Sequence, residues 1–203
     1  MERRMEDGRM DAQETADAIV VRGAGEADRA VLQRLWQLFR HDLAAYQGGF
    51  PPGPGGLYGT ERLDAAFGNP DRALFLFLSG PSPVGFALVR VLDGGGAEDG
   101  SGSGPASGAV LSAFFVVRGL RRGGVGMRAV REVLAAHPGR WEIPFQEANT
   151  GAARFWRRVA EGAAPGAWTE EPRGVPVRLG VPPDRWIAFR AGSGGLVGSG
   201  IRT

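Results

Sequence analysis

The chain has 203 residues, of which 43% are hydrophobic, and its formal net charge is +2. This length fits one domain, and this hydrophobic fraction is enough for a core. The chain has no cysteine, which excludes disulfides, thiolate zinc sites and cysteine nucleophiles. All 24 basic residues are arginine, which excludes a Schiff-base lysine and explains a pI of about 9.9 at so small a net charge.

The distribution of charge and hydropathy also limits the partners. Arginines are scattered among acidic residues, so we expect no nucleic-acid partner. No apolar run approaches the length of a membrane span, so we expect no membrane partner. Residues 1–17 mix acids and bases without the apolar stretch of a secretory signal, so we expect a disordered segment there and a cytoplasmic protein. We expect no metal site.

Hydrophobic periodicity predicts a succession of strands and helices. Short apolar runs favour strands, whereas apolar side chains at three- and four-residue spacing favour helices. An insert at 93–108 and a tail at 191–203 are rich in glycine, and we expect both to be flexible. The predicted elements are a strand at 18–22, a helix at 26–46, a Pro/Gly loop at 50–59, a short helix at 61–67, strands at 73–78, 84–92 and 109–117, a helix at 125–136, a strand at 141–146, a helix from 149 and a strand at 186–190.

The junction between the strand at 109–117 and the helix at 125–136 is the most informative segment, because residues 121–126 read RRGGVG. Glycines let backbone N–H groups approach an anion closely, and a helix N-terminus adds unpaired donors and a positive dipole end. Arg121 and Arg122 add positive charge with a geometry suited to phosphate oxygens. The junction therefore predicts a phosphate-binding loop.

Two familiar phosphate sites can be compared with this loop. The chain has no G-x-x-x-x-G-K-[ST] pattern, which excludes a P-loop. Gly124, Gly126 and Ala129 do match the dinucleotide pattern G-x-G-x-x-A, and Glu147 follows at about the distance of a ribose-binding acid. However, residues 118–123 separate the strand from that pattern, and too few strand–helix units follow it. A nicotinamide-dependent oxidoreductase remains an alternative.

The same residues resemble a known family. Residues 121–126 fit R-x-x-G-x-G, the acyl-CoA pyrophosphate motif of the GNAT superfamily of N-acetyltransferases, and the resemblance covers residues 18–190. The segment WEIPFQEANTGAARFWRR is similar to that of uncharacterised bacterial members. The resemblance implies an α/β (α+β) fold, with a mixed, mostly antiparallel sheet flanked by helices and splayed strands that hold acyl-CoA. Pro144 agrees with a strand that is open on one side, because proline cannot donate to a ladder.

The resemblance further implies acetyl-CoA as cosubstrate and a set of contacts to it. The loop N–H groups would hold the pyrophosphate, the end of the strand at 109–117 would hydrogen-bond pantetheine, and the helix from 149 would flank the thiol. The implied cofactor-binding residues are Phe115, Val116, Val117, Arg121, Arg122, Gly123, Gly124, Val125, Gly126, Asn149 and Trp156.

Acyl transfer to an amine requires a neutral amine, a donor for the oxyanion and a proton for the leaving thiolate. Similar members read E-F-F-V before the glycine loop, but this chain has Ala113 in the place of that glutamate. Trp156 occupies the place of the tyrosine that many members use as the thiol acid. The sequence therefore predicts catalysis mainly by positioning, with a strand N–H near Val116 stabilising the oxyanion.

Two further residues are candidate catalytic groups. His41, beside Asp42, lies at the end of the first long helix and is either part of a proton relay or a solvated helix end. Glu142 faces either the cleft or solvent. Segments 40–67 and 164–185 carry no motif and are expected to form the acceptor pocket.

Three hypotheses follow from the sequence. The first is an N-acetyltransferase that acts on a primary amine of a small molecule or peptide, as a monomer or homodimer. The second is a GNAT-fold protein that binds acyl-CoA with little turnover, as a sensor or partner domain. The third is the nicotinamide-dependent enzyme.

Overall fold

A computed structural model describes residues 19–46, 51–92, 108–174 and 183–192. Three predictions therefore fall wholly or mostly outside the described residues: the disordered segment at 1–17, the flexible insert at 93–108 and the flexible tail at 191–203. No helix in the described ranges is both long and apolar enough to cross a membrane.

The described residues form seven strands and four α-helices. A short 3-10 turn at Glu26–Asp28 directly precedes the first helix, and another at Arg118–Leu120 lies between the fourth strand and the third helix. The strands are β1 (Ile19–Gly23), β2 (Arg72–Ser79), β3 (Ser82–Leu92), β4 (Gly108–Val116), β5 (Gly139–Phe145), β6 (Thr169–Arg173) and β7 (Asp184–Ala191). The helices are α1 (Arg29–Ala44), α2 (Glu61–Asp64), α3 (Val125–Ala136) and α4 (Thr150–Ala163).

All seven strands form one sheet in the order β1-β2-β3-β4-β5-β7-β6. Every neighbouring pair is antiparallel except β4 and β5, which run parallel. This confirms the predicted mixed, mostly antiparallel sheet. It is not the doubly wound parallel sheet to which a dinucleotide fingerprint belongs, so the fold removes the support for the nicotinamide alternative.

The parallel pair separates after a short ladder. β4 and β5 are in register only from Gly108, opposite Arg140, to Val110, opposite Glu142. Beyond that point β5 continues to pair with β7, where Pro144 lies opposite Trp186. The prediction that Pro144 marks a strand open on one side is confirmed, and the opening lies beside the C-terminal end of β4.

Two apolar cores lie on the two faces of the sheet. One packs α3 and α4 against the sheet and includes the fully buried Trp141. The other packs α1 and α2 against the opposite face and includes Trp36 and Phe86. Adjacent residues of β4 serve both cores, because Phe114 packs with the first and Phe115 with the second. Burying one such aromatic side chain contributes about 1.5–3 kcal/mol to folding.

Local sequence signals explain the helices that border the site. α3 begins after Gly124, whose φ of 82° is a left-handed conformation that glycine adopts without strain. α4 begins after Asn149, whose side-chain oxygen accepts a hydrogen bond from the N–H of Ala152 at 3.1 Å. This is a helix N-cap, which typically stabilises a helix by about 1 kcal/mol.

The structure has one strand that was not predicted and two helices that are shorter than predicted. β6 was not predicted, because its sequence TEEPR has no apolar alternation and contains a proline. A polar edge strand of this kind is held by its neighbours rather than by its own propensity. The helix predicted at 26–46 begins as a 3-10 turn and becomes α-helical only from Arg29, and the helix predicted at 61–67 is the single turn Glu61–Asp64.

Candidate active site

A cleft of about 980 Å³ opens where β4 and β5 separate. Its walls are the C-terminal turn of α1, the end of β4, the loop before α3 and the first turns of α4. Of the predicted site residues, the cleft is lined by His41, Phe115, Val116, Arg121, Arg122, Gly124, Gly126, Asn149 and Trp156. Val117, Gly123, Val125 and Glu142 are not among the lining residues.

The glycine loop presents a row of free backbone donors. From Arg122 to Met127, six consecutive N–H groups donate no hydrogen bond to any group in the described part of the chain. Arg122 and Gly124 have φ values of 73° and 82°, so the row turns sharply before it enters α3. Successive N–H groups in such a turn, at a helix N-terminus, form a concave site for an anion. The row fits a ligand with several phosphate oxygens.

Positive charge surrounds this row. Arg118, Arg121, Arg122 and Arg158 all line the cleft, and Asp42 is the only acidic residue among the described residues that line it. The cleft therefore carries an excess of cations, which favours an anionic ligand at the loop.

Arg121 lies across the end of β4 rather than pointing into solvent. Its Nε donates to the carbonyl oxygen of Val116 at 2.7 Å, and its guanidinium lies 5.4 Å from the centre of the Phe115 ring. One Nη group also donates to the carboxylate of Asp42 on α1. Arg121 thus joins the glycine loop, β4 and α1 at the mouth of the cleft.

At the end of β4, the backbone N–H and carbonyl that face the cleft belong to Val116 rather than to Val117. The N–H of Val117 donates to Val84 on β3 at 2.9 Å, and its carbonyl accepts from Leu120 at 3.1 Å. Because backbone groups of successive strand residues point to opposite sides, those of Val116 point away from β3 and towards the opening. Both backbone groups of Val117 already have a hydrogen-bond partner, so the N–H of Val117 is not available to pantetheine.

Aromatic rings form the apolar wall of the cleft. Phe114 stacks on Phe155 at 5.8 Å between ring centres, and Trp156 lies edge-on to both, at 5.3 Å and 4.7 Å. A Cβ added at Gly126 would lie 3.4 Å from the Phe155 ring, so this side of α3 faces the aromatic wall. The indole N–H of Trp156 donates to no described group and is not shut off from solvent, so it is an available donor in the cleft.

Ala113 lies outside the cleft and is buried. Its exposed fraction is 5%, and it pairs with Leu88 in the core beneath α1. The position where similar proteins carry glutamate therefore offers no base in this chain and is buried.

The two candidate catalytic residues differ in position, because His41 lines the cleft and Glu142 does not. The side chain of His41 is 79% exposed, and its Nδ1 lies 3.7 Å from Asp42, which is too far for a hydrogen bond. Glu142 accepts hydrogen bonds from Arg173 and Arg140, and the bond from Arg173 is the main reason that its pKa lies below the ordinary value. Its lowered pKa and its position outside the cleft argue against the predicted role of Glu142 as a base.

Asp42 and Phe155 are site residues whose roles sequence reasoning missed. Asp42 was considered only as a partner of His41, but its close contact is Arg121, 79 residues further along the chain. Phe155 lies at helical spacing with Ala152 and Val159, which predicts an apolar helix face and does not show that its ring lines the cleft.

Comparison with known proteins agrees with this geometry. Residues 34–160 match the family model described as the acetyltransferase (GNAT) family. Comparison with curated protein sequences gives no match.

Several solved structures share the fold. An acetyltransferase from Thermus thermophilus is 20% identical, with a TM-score of 0.57 over 85% of this chain and 97% of that chain. Arabidopsis thaliana NAA60 in complex with acetyl-CoA is 15% identical, with a TM-score of 0.58 over 85% of this chain and 98% of that chain. The ribosomal-protein-S18-alanine N-acetyltransferase from Escherichia coli is 11% identical, with a TM-score of 0.55 over 88% of this chain and 97% of that chain.

Proposed function

Because this chain belongs to the GNAT family of acetyltransferases, we propose that it transfers an acetyl group from acetyl-CoA to a primary amine of a small molecule or peptide. The observation that carries the proposal is the row of six free N–H groups at the mouth of the opened sheet. Such a row suits a pyrophosphate, and the gap between β4 and β5 suits the extended arm that follows it.

One set of residues would bind the phosphates of acetyl-CoA, and another would bind its pantetheine arm. The N–H groups from Arg122 to Gly126 would hold the pyrophosphate, with the side chains of Arg121 and Arg122 adding charge. The cleft-facing edge of β4 at Val116 would lie along the pantetheine arm, while Asn149 and Trp156 would border the thiol end. Phe115 contributes its ring to the wall.

The chemistry then depends on positioning. The nitrogen of a neutral amine attacks the thioester carbon, the C–S bond breaks, and the products are an amide and a thiolate. In this proposal the N–H of Val116 would stabilise the oxyanion, and the indole N–H of Trp156 would donate a hydrogen bond to the leaving sulfur. With no carboxylate at Ala113, the amine loses its proton to water, and the thiolate gains one from water.

Two of the structural neighbours support this class of reaction. One is in complex with acetyl-CoA, and another acts on the alanine of a ribosomal protein. A second candidate function, acyl-CoA binding without turnover, is favoured by the burial of Ala113 and by the absence of an unpaired acid among the described residues that line the cleft.

Calorimetric titration with acetyl-CoA tests the proposed site. Gly123→Glu would place a carboxylate beside the free N–H groups, and we expect it to weaken binding at least tenfold, on the order of 1.4 kcal/mol or more. Gly123→Ala is the matched control, because a Cβ there meets nothing within 4 Å and the backbone is not left-handed. Equal affinity in both folded variants would refute this placement of the pyrophosphate.

Thiol release over a panel of primary amines then separates the two candidate functions. An acetyltransferase releases CoA in proportion to the amine, whereas a binding protein shows affinity without release. Failure of acetyl-CoA to bind the wild type would refute both.

A further inference from the structure

One carboxylate lies among the arginines of the cleft. Asp42, on the last turn of α1, is the only acidic residue among the described residues that line the cleft, and its Oδ2 accepts a hydrogen bond from Arg121. The C-terminal end of a helix also carries the negative pole of its dipole, which favours a cation nearby. The end of the cleft beside α1 is therefore the place where a positively charged group would be stabilised.

Arg121 is the close partner of Asp42, but it does not depend on Asp42 for its position. Its bond to the Val116 carbonyl and its contact with the Phe115 ring hold it against β4. The nearest nitrogen of Arg118 is 3.9 Å from Asp42, beyond hydrogen-bond distance. The side chains of Arg121 and Asp42 are 38% and 24% exposed, and ion pairs at such sites are weak enough to exchange partners.

A bound phosphate ligand changes this balance. At the glycine loop its negative charge would lie beside Arg121 and Arg122 and balance their positive charge, so the surroundings of Asp42 would become less positive. The carboxylate then becomes available to another cation. An ammonium group is a compact charge with three donors, and the rings of Phe39 and Tyr46 at the same end suit the alkyl chain that carries it.

We propose that Asp42 binds a second ammonium group of the acceptor, so that the protein selects diamines over amines that carry a carboxylate. This inference rests on the proposed acetyltransferase function. One amine of the acceptor reacts in its neutral form, while the other stays protonated on Asp42. Arg121 stays on Oδ2 of Asp42, and the ammonium group takes Oδ1, which has no hydrogen bond among the described residues.

The test uses two acceptors of equal length that differ at one end, 1,4-diaminobutane and 4-aminobutanoate. Each is titrated by calorimetry into the full chain saturated with CoA, which carries the phosphates but no acyl group to transfer. We expect the diamine to bind at least about tenfold more tightly, because a hydrogen-bonded ion pair replaces a repulsion. We also expect weaker diamine binding when CoA is omitted.

Asp42→Asn should remove the preference, because asparagine keeps the size of the side chain without its charge. Glu132→Gln is the matched control, since Glu132 lies on the exposed face of α3 and has no partner among the described residues. Equal binding of the two acceptors by the wild type, no binding of either, or a preference that survives in Asp42→Asn would each overturn the inference. The comparison of the two acceptors on the wild type tests the inference even if Asp42→Asn does not fold.

A parallel titration with acetyl-CoA separates this inference from the function on which it rests. If acetyl-CoA does not bind, the proposed function fails. If acetyl-CoA binds and the diamine preference is absent, only the role of Asp42 fails.

Discussion

Glu170 on β6 is the centre of an ion-pair cluster that should make the stability of the protein depend on acid pH. Its carboxylate accepts two hydrogen bonds from Arg157 on α4, both at 2.8 Å, and one from Arg185 on β7 at 2.7 Å. Its side chain is only 10% exposed. These bonds, chiefly those from Arg157, lower the pKa of Glu170 from 4.5 to about 2.

The size of the effect follows from that difference in pKa. Because the pKa is lower in the folded state, the carboxylate stabilises the fold above pH 4.5, and this stabilisation is lost as the pH falls towards 2. At neutral pH it amounts to at most about 3 kcal/mol. We expect about 2 kcal/mol of it to disappear between pH 7 and pH 3.

The assay is urea unfolding of the wild type and of Glu170→Gln at several pH values between 7 and 3. We expect the difference in unfolding free energy to be largest at pH 7 and to shrink as the pH falls, because glutamine has no charge to lose. Glu132→Gln should show a small difference at every pH. A Glu170→Gln difference that stays constant with pH, or that is below about 0.5 kcal/mol at pH 7, would refute the reasoning.

Four other outcomes are expected. Gly85→Ala should destabilise the fold by about 1–3 kcal/mol in urea unfolding, because a Cβ there would lie 2.7 Å from the Phe77 ring and closer still to the Phe115 carbonyl, whereas Gly119→Ala has open space and should be neutral. Trp156→Phe should lower kcat about tenfold at unchanged acetyl-CoA affinity, because it removes one charge-assisted hydrogen bond from the indole to the leaving sulfur. An unchanged kcat would show that the indole does not donate to the sulfur. The rate of thiol release should keep rising with pH towards the pKa of the acceptor amine, and a plateau near the ordinary pKa of histidine, about 6.5, that vanishes in His41→Ala would contradict the mechanism without a base. Replacing residues 93–107 by a four-residue turn should raise stability by about 1 kcal/mol, since Leu92 and Gly108 already lie opposite each other, and a loss of folding would show that the insert packs on the domain.

Hydrophobic periodicity in the sequence was sufficient to predict the elements that bury one regular face. The helix predicted at 125–136 matches α3 at both ends, because Val130, Val133 and Leu134 repeat at helical spacing and glycine or proline residues flank the segment. β6 could not be predicted in this way, because Glu170 and its neighbours gain their stability from arginines on other elements. Its position depends on tertiary contacts that have no local signal.

In the candidate site, too, features set by the local sequence could be predicted and features set by tertiary contacts could not. The row of free backbone donors could be predicted because such donors at a strand-to-helix junction depend on nearby glycines alone. The position of Arg121 could not, because it depends on where the end of α1 brings Asp42. Glu142 alternates with apolar neighbours as a cleft-facing residue would, and only the packing of Arg140 and Arg173 on it shows that it holds an ion pair instead.

The alternation of β4 has a consequence for how such a protein can diverge. Phe114 belongs to the core beneath α3 and α4, which carries the aromatic wall, and Phe115 belongs to the core beneath α1 and α2. The two halves of the cleft are therefore packed in separate layers that share a single strand. Substitutions on α1 can accumulate under selection for a new acceptor while the layer that faces the donor keeps its sequence.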